Sequence, residues 1–176
     1  NEVFFDGART EASLVVGEPG EGWRVAMGTL GFERGVSTIG QQVGFARELE
    51  GVVEMARGNG AIEDPVIRDR IVRARMGLEV MRLNALRTLA GSSAGSEGPE
   101  ASISKLVWAT WHRALGELAM EVAGAGSLVA ADGGEYDVWQ RLFLFTRADT
   151  IYGGSNEIQR NIISERVLGL PREPRP

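Results

Sequence analysis

Apolar residues recur at three- and four-residue steps through most of this chain, and that spacing constrains its fold more than any other feature. Phe32, Val36, Ile39, Val43, Ala46, Val53 and Ala56 keep such steps, or sums of them, until "RGNG" ends the run with glycine and asparagine. A second stripe, Ile67, Ile71, Ala74, Leu78, Met81, Ala85 and Leu89, starts behind "EDP". There Asp64 is a plausible cap and Pro65 takes the first helical position. Ile103, Val107, Trp111, Ala114, Leu118 and Val122 form a third. A fourth helix is predicted roughly from Asp137 to Ile151, and a fifth from about Ser155 to Leu168. Each helix carries one apolar stripe and one polar face, so each needs partners. The expected fold is mainly α: an up-down bundle of four to five helices over 21–170.

The two ends read differently. Residues 1–20 are strand-like, with Val3, Phe4 and Phe5 separated from Leu14, Val15 and Val16 by the turn "DGART". One such pair cannot fold alone in water. The short β segment therefore reads as the tail of a sheet whose other strands are missing, and the chain as a C-terminal portion of a longer polypeptide. The tail 171–176, from "GLPREPRP", is expected to be extended.

Composition narrows the function. The formal charge of −5 argues against nucleic acid, which calls for a basic face. No apolar run reaches membrane-spanning length. Without cysteine there is no disulfide frame, thiolate nucleophile or cysteine metal site, which fits a reducing compartment. Of the 19 basic residues only Lys105 is lysine. His112 is the only histidine; with no second one to form a metal site, it reads as structural and no metal is expected. "GAG" at 124–126 lacks the flanking strand and helix of a dinucleotide fingerprint. The arginines dispersed through "RARMGLEVMRLNALR" look like a solvated face.

Two stretches carry candidate chemistry. In "IYGGSNEIQRN" the glycines let the backbone turn sharply, and Ser155 caps the next helix, whose free N–H groups favour an anion or a ribose hydroxyl. A plain helix–helix turn accounts for the same residues. In "LGFERGVSTIG", Glu33 shares a helix face with Ser37, Gly40, Gly44 and Gly51. Each interior glycine costs roughly 1 kcal/mol relative to alanine, so something has to come close: another helix or a ligand chain. A carboxylate beside such a groove is partly desolvated, which raises its pKa towards that of a usable base. A surface Glu33–Arg34 pair is the alternative.

Taken together, "NEVFFDG…GEPGEGW", "LGFERG" and "IYGGSNEIQRNIISERVLGLP" resemble the acyl-CoA dehydrogenase family over essentially the whole chain. The resemblance implies the end of a middle β-domain followed by a C-terminal helical domain. It also implies FAD as cofactor, an acyl-CoA substrate oxidised to the trans-2-enoyl-CoA, and an electron-transferring flavoprotein as acceptor. A dimer or tetramer, of one or two kinds of subunit, follows from it, in the bacterial cytoplasm or, in a eukaryote, the mitochondrial matrix. Many members place the catalytic base directly after the motif's tyrosine, where this chain has Gly153. A smaller subgroup, of isovaleryl and long-chain type, carries it on the first long helix immediately before an arginine, as Glu33 stands before Arg34. The loss at one position agrees with the gain at the other.

By the same resemblance, Glu33 removes the α-proton, Phe32 and Arg34 line the acyl-CoA site, and Gly154 backs the thioester. Ser155, Glu157 and Ile158 meet FAD, and Arg57 reaches its pyrophosphate. Two departures stand out. The aromatic usual shortly after that arginine is replaced by "RGNGAIEDP", and Glu121 stands where a glutamine is expected. An acyl-CoA oxidase or a non-catalytic subunit of a heteromer would use the same scaffold.

Overall fold

The computed structural model describes residues 2–35, 37–91, 99–130 and 133–172; the side chains of 30–35, 37–39, 89, 91 and 99–102 lie outside the described set. It is mainly helical: α1 (Gly22–Gly35), α2 (Ser37–Gly58), α3 (Pro65–Gly91), α4 (Pro99–Ala123), α5 (Val138–Asp149) and α6 (Asn156–Ile162). Two compact units divide the chain, Asn1–Glu33 and Arg34–Pro176.

In the first unit the expected β segment is not a strand. Among the described residues no strand forms, and Val3, Phe4, Phe5, Leu14, Val15 and Val16 are exposed. A strand needs a neighbour for its N–H and C=O groups, and these residues have none beside them. Only a 3-10 turn, Ala12–Leu14, precedes α1.

The second unit is the bundle. Its register follows from cross-helix contacts. The Trp111 indole N–H donates to the Ala74 carbonyl at 2.8 Å and Arg70 pairs with Glu121, so α3 runs antiparallel to α4. The Asn59 amide donates to the Val122 carbonyl at 2.7 Å while the Phe45 ring lies tilted against that of Trp111, so α2 runs parallel to α4. His112 meets Asp149, and Ser127 meets Gln140, which sets α5 antiparallel to α4. Helix α4 touches α2, α3, α5 and α6 and is the bundle's axis.

Local chemistry explains where the helices begin. The Asp64 carboxylate accepts from the Val66 N–H at 2.7 Å, ahead of Pro65. Asp137 and Gln140 form a reciprocal capping box at the start of α5. Ser155 caps α6, which is shorter than expected: the chain leaves it in a π turn, Ile163–Val167, with the Leu168 N–H bonded to the Ile163 carbonyl. Helices α1 and α2 cover the first expected helical stretch on either side of residue 36, which lies outside the described residues.

The core joins Phe45, Leu49, Val52 and Ala56 of α2 to Ile71, Leu78 and Met81 of α3 and Leu115, Leu118, Ala119 and Val122 of α4. Two expected stripes are rotated. Val43 is exposed on α2, and Val107 and Ala114 are exposed on α4. The buried line of α4 runs instead through Lys105, Ala109, His112, Leu115, Gly116 and Ala119. Helix α4 is covered on several sides, so two polar residues share its inner face.

Glycine lets three indole and helix approaches close. A Cβ at Gly51 would lie 2.6 Å from Trp139, one at Gly77 2.6 Å from Trp111, and one at Gly116 3.2 Å from the Phe143 Cα. Gly51 thus meets the expectation of a close neighbour. At Gly40 and Gly44 a Cβ would meet nothing within 4 Å.

Candidate functional site

The glycine-rich turn sits between α5 and α6. Helix α5 ends as the Ile151 and Tyr152 N–H groups both bond to the Ala148 carbonyl, at 2.8 and 3.0 Å. Gly153 and Gly154 then take φ of +65° and +90°. Any other residue would be strained at these angles, by roughly 1–2 kcal/mol. The buried Gln159 amide donates to the Gly153 carbonyl at 3.0 Å, and a Cβ on Gly154 would come 2.8 Å from that same amide. The turn is folded tightly onto α6.

Ser155, Glu157 and Ile158 cluster on the first turn of α6. The Ser155 hydroxyl accepts from the Ile158 N–H at 3.4 Å. Glu157 is held below the usual carboxylate range by its own backbone N–H and by Ser155. Ile158 is exposed, and the buried Asn156 Oδ1 beside them has no hydrogen-bond partner. An orphaned acceptor, a capped helix start and an exposed apolar side chain on one turn suit the edge of a nucleotide-sized ligand such as FAD. Arg57 is exposed in the last turn of α2 and is not brought to them. Asn59 lies level with Val122, and Asn156 bonds Thr110, so these two asparagines, near Arg57 and Ser155 in sequence, stand about 18 Å apart along α4. Phe32, Glu33 and Arg34 lie in α1 by backbone, with side chains outside the described residues. Glu121 forms an ion pair with Arg70 on the outer face.

Periodicity missed the polar centre of the bundle. His112 is buried, with Nδ1 2.7 Å from Asp149 Oδ2 and Nε2 2.8 Å from Glu48 Oε2. The Tyr152 hydroxyl donates to the other Asp149 oxygen at 2.7 Å, and the Lys105 ammonium donates to the Asp149 carbonyl. Asp149 is fully buried. Burial works against a charged imidazole, but hydrogen bonds to Asp149 and Glu48 outweigh it and push the His112 pKa up to about 9. Burial, then the bond to Asp149, pushes Tyr152 well above its ordinary value. Lys105 is lowered by burial, against the attraction of Asp149, and its ammonium lies 4.9 Å from the Trp108 ring and 5.4 Å from that of Tyr152. The Glu48 end opens on a groove of ≈ 540 Å³ lined by Arg47, Trp139, Arg141, Leu142 and Phe145. A sequence signal did exist: the chain's only lysine and only histidine fall seven residues apart, two turns along one helix face.

Among the described residues, no group of three or more His, Asp or Glu could hold a metal ion, and no helix is long and apolar enough to cross a membrane.

Comparison with known proteins then supplies a lineage. A family model described as the C-terminal domain of acyl-CoA dehydrogenase matches residues 20–168. Acyl-CoA dehydrogenase IpdE1 of Mycobacterium tuberculosis is 65% identical over 173 residues, covering 98% of this chain and 44% of the relative. A solved structure described as the Tcur3481-Tcur3483 steroid ACAD superposes with a TM-score of 0.81 at 26% identity, over 97% of this chain and 45% of that one. The ChsE4-ChsE5 complex from Mycobacterium tuberculosis follows with a TM-score of 0.70 at 27% identity, over 90% of this chain and 42% of that one. The chain spans less than half the length of these relatives.

Proposed function

This chain belongs to the acyl-CoA dehydrogenase family, and we propose that it is the C-terminal helical part of an FAD-dependent enzyme oxidising an acyl-CoA thioester to its trans-2-enoyl product. One observation carries the reading: the turn 152–155 holds two glycines of positive φ and no carboxylate, in a chain whose α1 places Glu33 directly before Arg34. Glu33 is the base that takes the α-proton. A thioester α-proton is far too weakly acidic for an unaided carboxylate, so the site has to present hydrogen-bond donors to the carbonyl oxygen as charge develops there. Gly154 backs the thioester, its lack of a side chain letting the acyl group come close. Phe32 and Arg34 line the acyl-CoA side. The chemistry supplied by bound FAD is acceptance of the β-hydrogen as hydride. Ser155, Glu157 and Ile158 hold the cofactor from the start of α6, and Arg57 holds its pyrophosphate from the end of α2.

The solved neighbour described as a steroid ACAD supports a steroid-bearing acyl-CoA as the substrate class. An electron-transferring flavoprotein takes the electrons, in the cytoplasm. The protein works as a dimer or tetramer, and the two-component names of its structural neighbours support a second, different subunit beside it.

The test is anaerobic bleaching of the flavin in the purified full-length protein, alone and co-expressed with a candidate partner, by steroid-bearing, branched and straight-chain acyl-CoAs. At least one thioester is expected to bleach it, steroid-bearing ones fastest. A flavin that stays oxidised with every thioester in both preparations refutes the reading.

A further inference from the structure

We propose that the hydrogen-bonded chain Glu48–His112–Asp149–Tyr152, buried at His112 and Asp149, is a positioning device: it ties the Tyr152–Gly154 turn to α2 through a doubly hydrogen-bonded histidine. This rests on the reading of that turn as part of the thioester site. Gly153 and Gly154 bring no side chains to the turn, and the Tyr152 phenol anchors it by donating to the buried Asp149 at 2.7 Å. Asp149 in turn has both carboxylate oxygens engaged, one by Tyr152 and one by His112, while Lys105 takes its carbonyl. A Cβ at Gly153 would lie 3.6 Å from the Lys105 side chain, so the same lysine also packs beneath the turn.

The geometry sets the protonation state the device requires. A neutral imidazole has one N–H and one lone pair, yet both ring nitrogens of His112 face carboxylate oxygens, at 2.7 and 2.8 Å. Only the imidazolium donates to both. The charged and titratable groups around it are Glu48 from α2, Lys105 from α4 and Asp149 from α5, with Tyr152 from the turn. Arg47 and Arg141 border the groove that reaches the ring. Deprotonation turns one nitrogen's lone pair on a carboxylate, and the link between α2 and the turn opens. The elevated pKa, about 9, places this opening on the alkaline side of neutrality.

The experiment pairs two readouts on the full-length flavoprotein: the NMR titration of His112, assigned by the resonance lost in His112→Gln, and the rate of anaerobic flavin reduction by acyl-CoA against pH. His112 is expected to titrate near pH 9, with the reduction rate falling about 10-fold to 100-fold over the same interval, the scale of a misplaced reacting group. In Glu48→Gln both midpoints should move to lower pH together. In Tyr152→Phe the ring should still titrate near 9 while the rate is low throughout and its alkaline limb is gone. A reduction rate that stays level through the titration of His112 in the wild-type protein overturns the proposal, whether or not the variants fold. So does a limb that stays in place when the midpoint of His112 moves. A flavin that no acyl-CoA reduces at any pH sinks the functional reading and takes this inference with it.

Discussion

Along α4 the bundle interior changes character. Near its C-terminal half Leu115, Leu118, Ala119 and Val122 meet Val52 and Ala56 in an all-hydrocarbon core. Over the preceding three turns the same face buries His112 and Lys105, and α5 answers with Asp149. The hydrocarbon region is held by non-directional burial and tolerates exchange of one apolar shape for another. The polar region gains little net stability over an apolar replacement, because desolvation offsets much of the attraction. What it adds is direction: each bond fixes one atom relative to another, and the chain of bonds ends on the turn that meets the proposed substrate.

The contrast makes the largest effects easy to place. Asp149→Ala leaves a buried imidazole and a phenol without their partner and should cost about 3–5 kcal/mol in urea unfolding of the full-length protein. Leu118→Ala in the hydrocarbon half should cost about 2–5 kcal/mol, as a cavity does. The two losses are separated by pH: the second should be the same at pH 6.5 and pH 9, the first smaller at the higher pH. An equal response of both variants would erase the distinction between the regions.

A smaller effect sharpens it. The folded pKa of His112, about 9, lies above the ordinary imidazole value, so its contribution is fully present below about pH 6.5 and lost as pH rises through about 9. The wild-type protein should lose up to about 3 kcal/mol over that window, and His112→Gln should not. A parallel pH dependence in the two proteins would place the titrating group elsewhere.

The hydrocarbon half was largely legible in the sequence. Ile71, Leu78, Met81, Leu118 and Val122 stand in the stripes and in the core, and Asp64, Pro65 and Ser155 mark helix starts where the structure has them. The β segment was not, because a strand's existence depends on neighbours that residues 1–20 do not contain. The polar half was hidden by the method of reading. Apolar periodicity gives Lys105 and His112 no place in a stripe, although His112 read as structural, and it rotated the α4 stripe onto Val107 and Ala114, which are exposed. Pairing across helices, Glu48 with His112 and His112 with Asp149, spans 64 and 37 residues of sequence and has no local signature. Within the turn, Gly153, Gly154 and Ser155 were readable from their types. That Tyr152 folds back onto Asp149 was not.

The central claim is that the proposed base is Glu33 on α1, in a chain whose turn carries glycine at 153. Glu33→Gln in the full-length flavoprotein tests this most directly, with bound flavin and its anaerobic reduction by acyl-CoA measured together. The account predicts full flavin occupancy and a reduction rate lower by about 10²–10⁴-fold. A variant that reduces its flavin at the wild-type rate would contradict it.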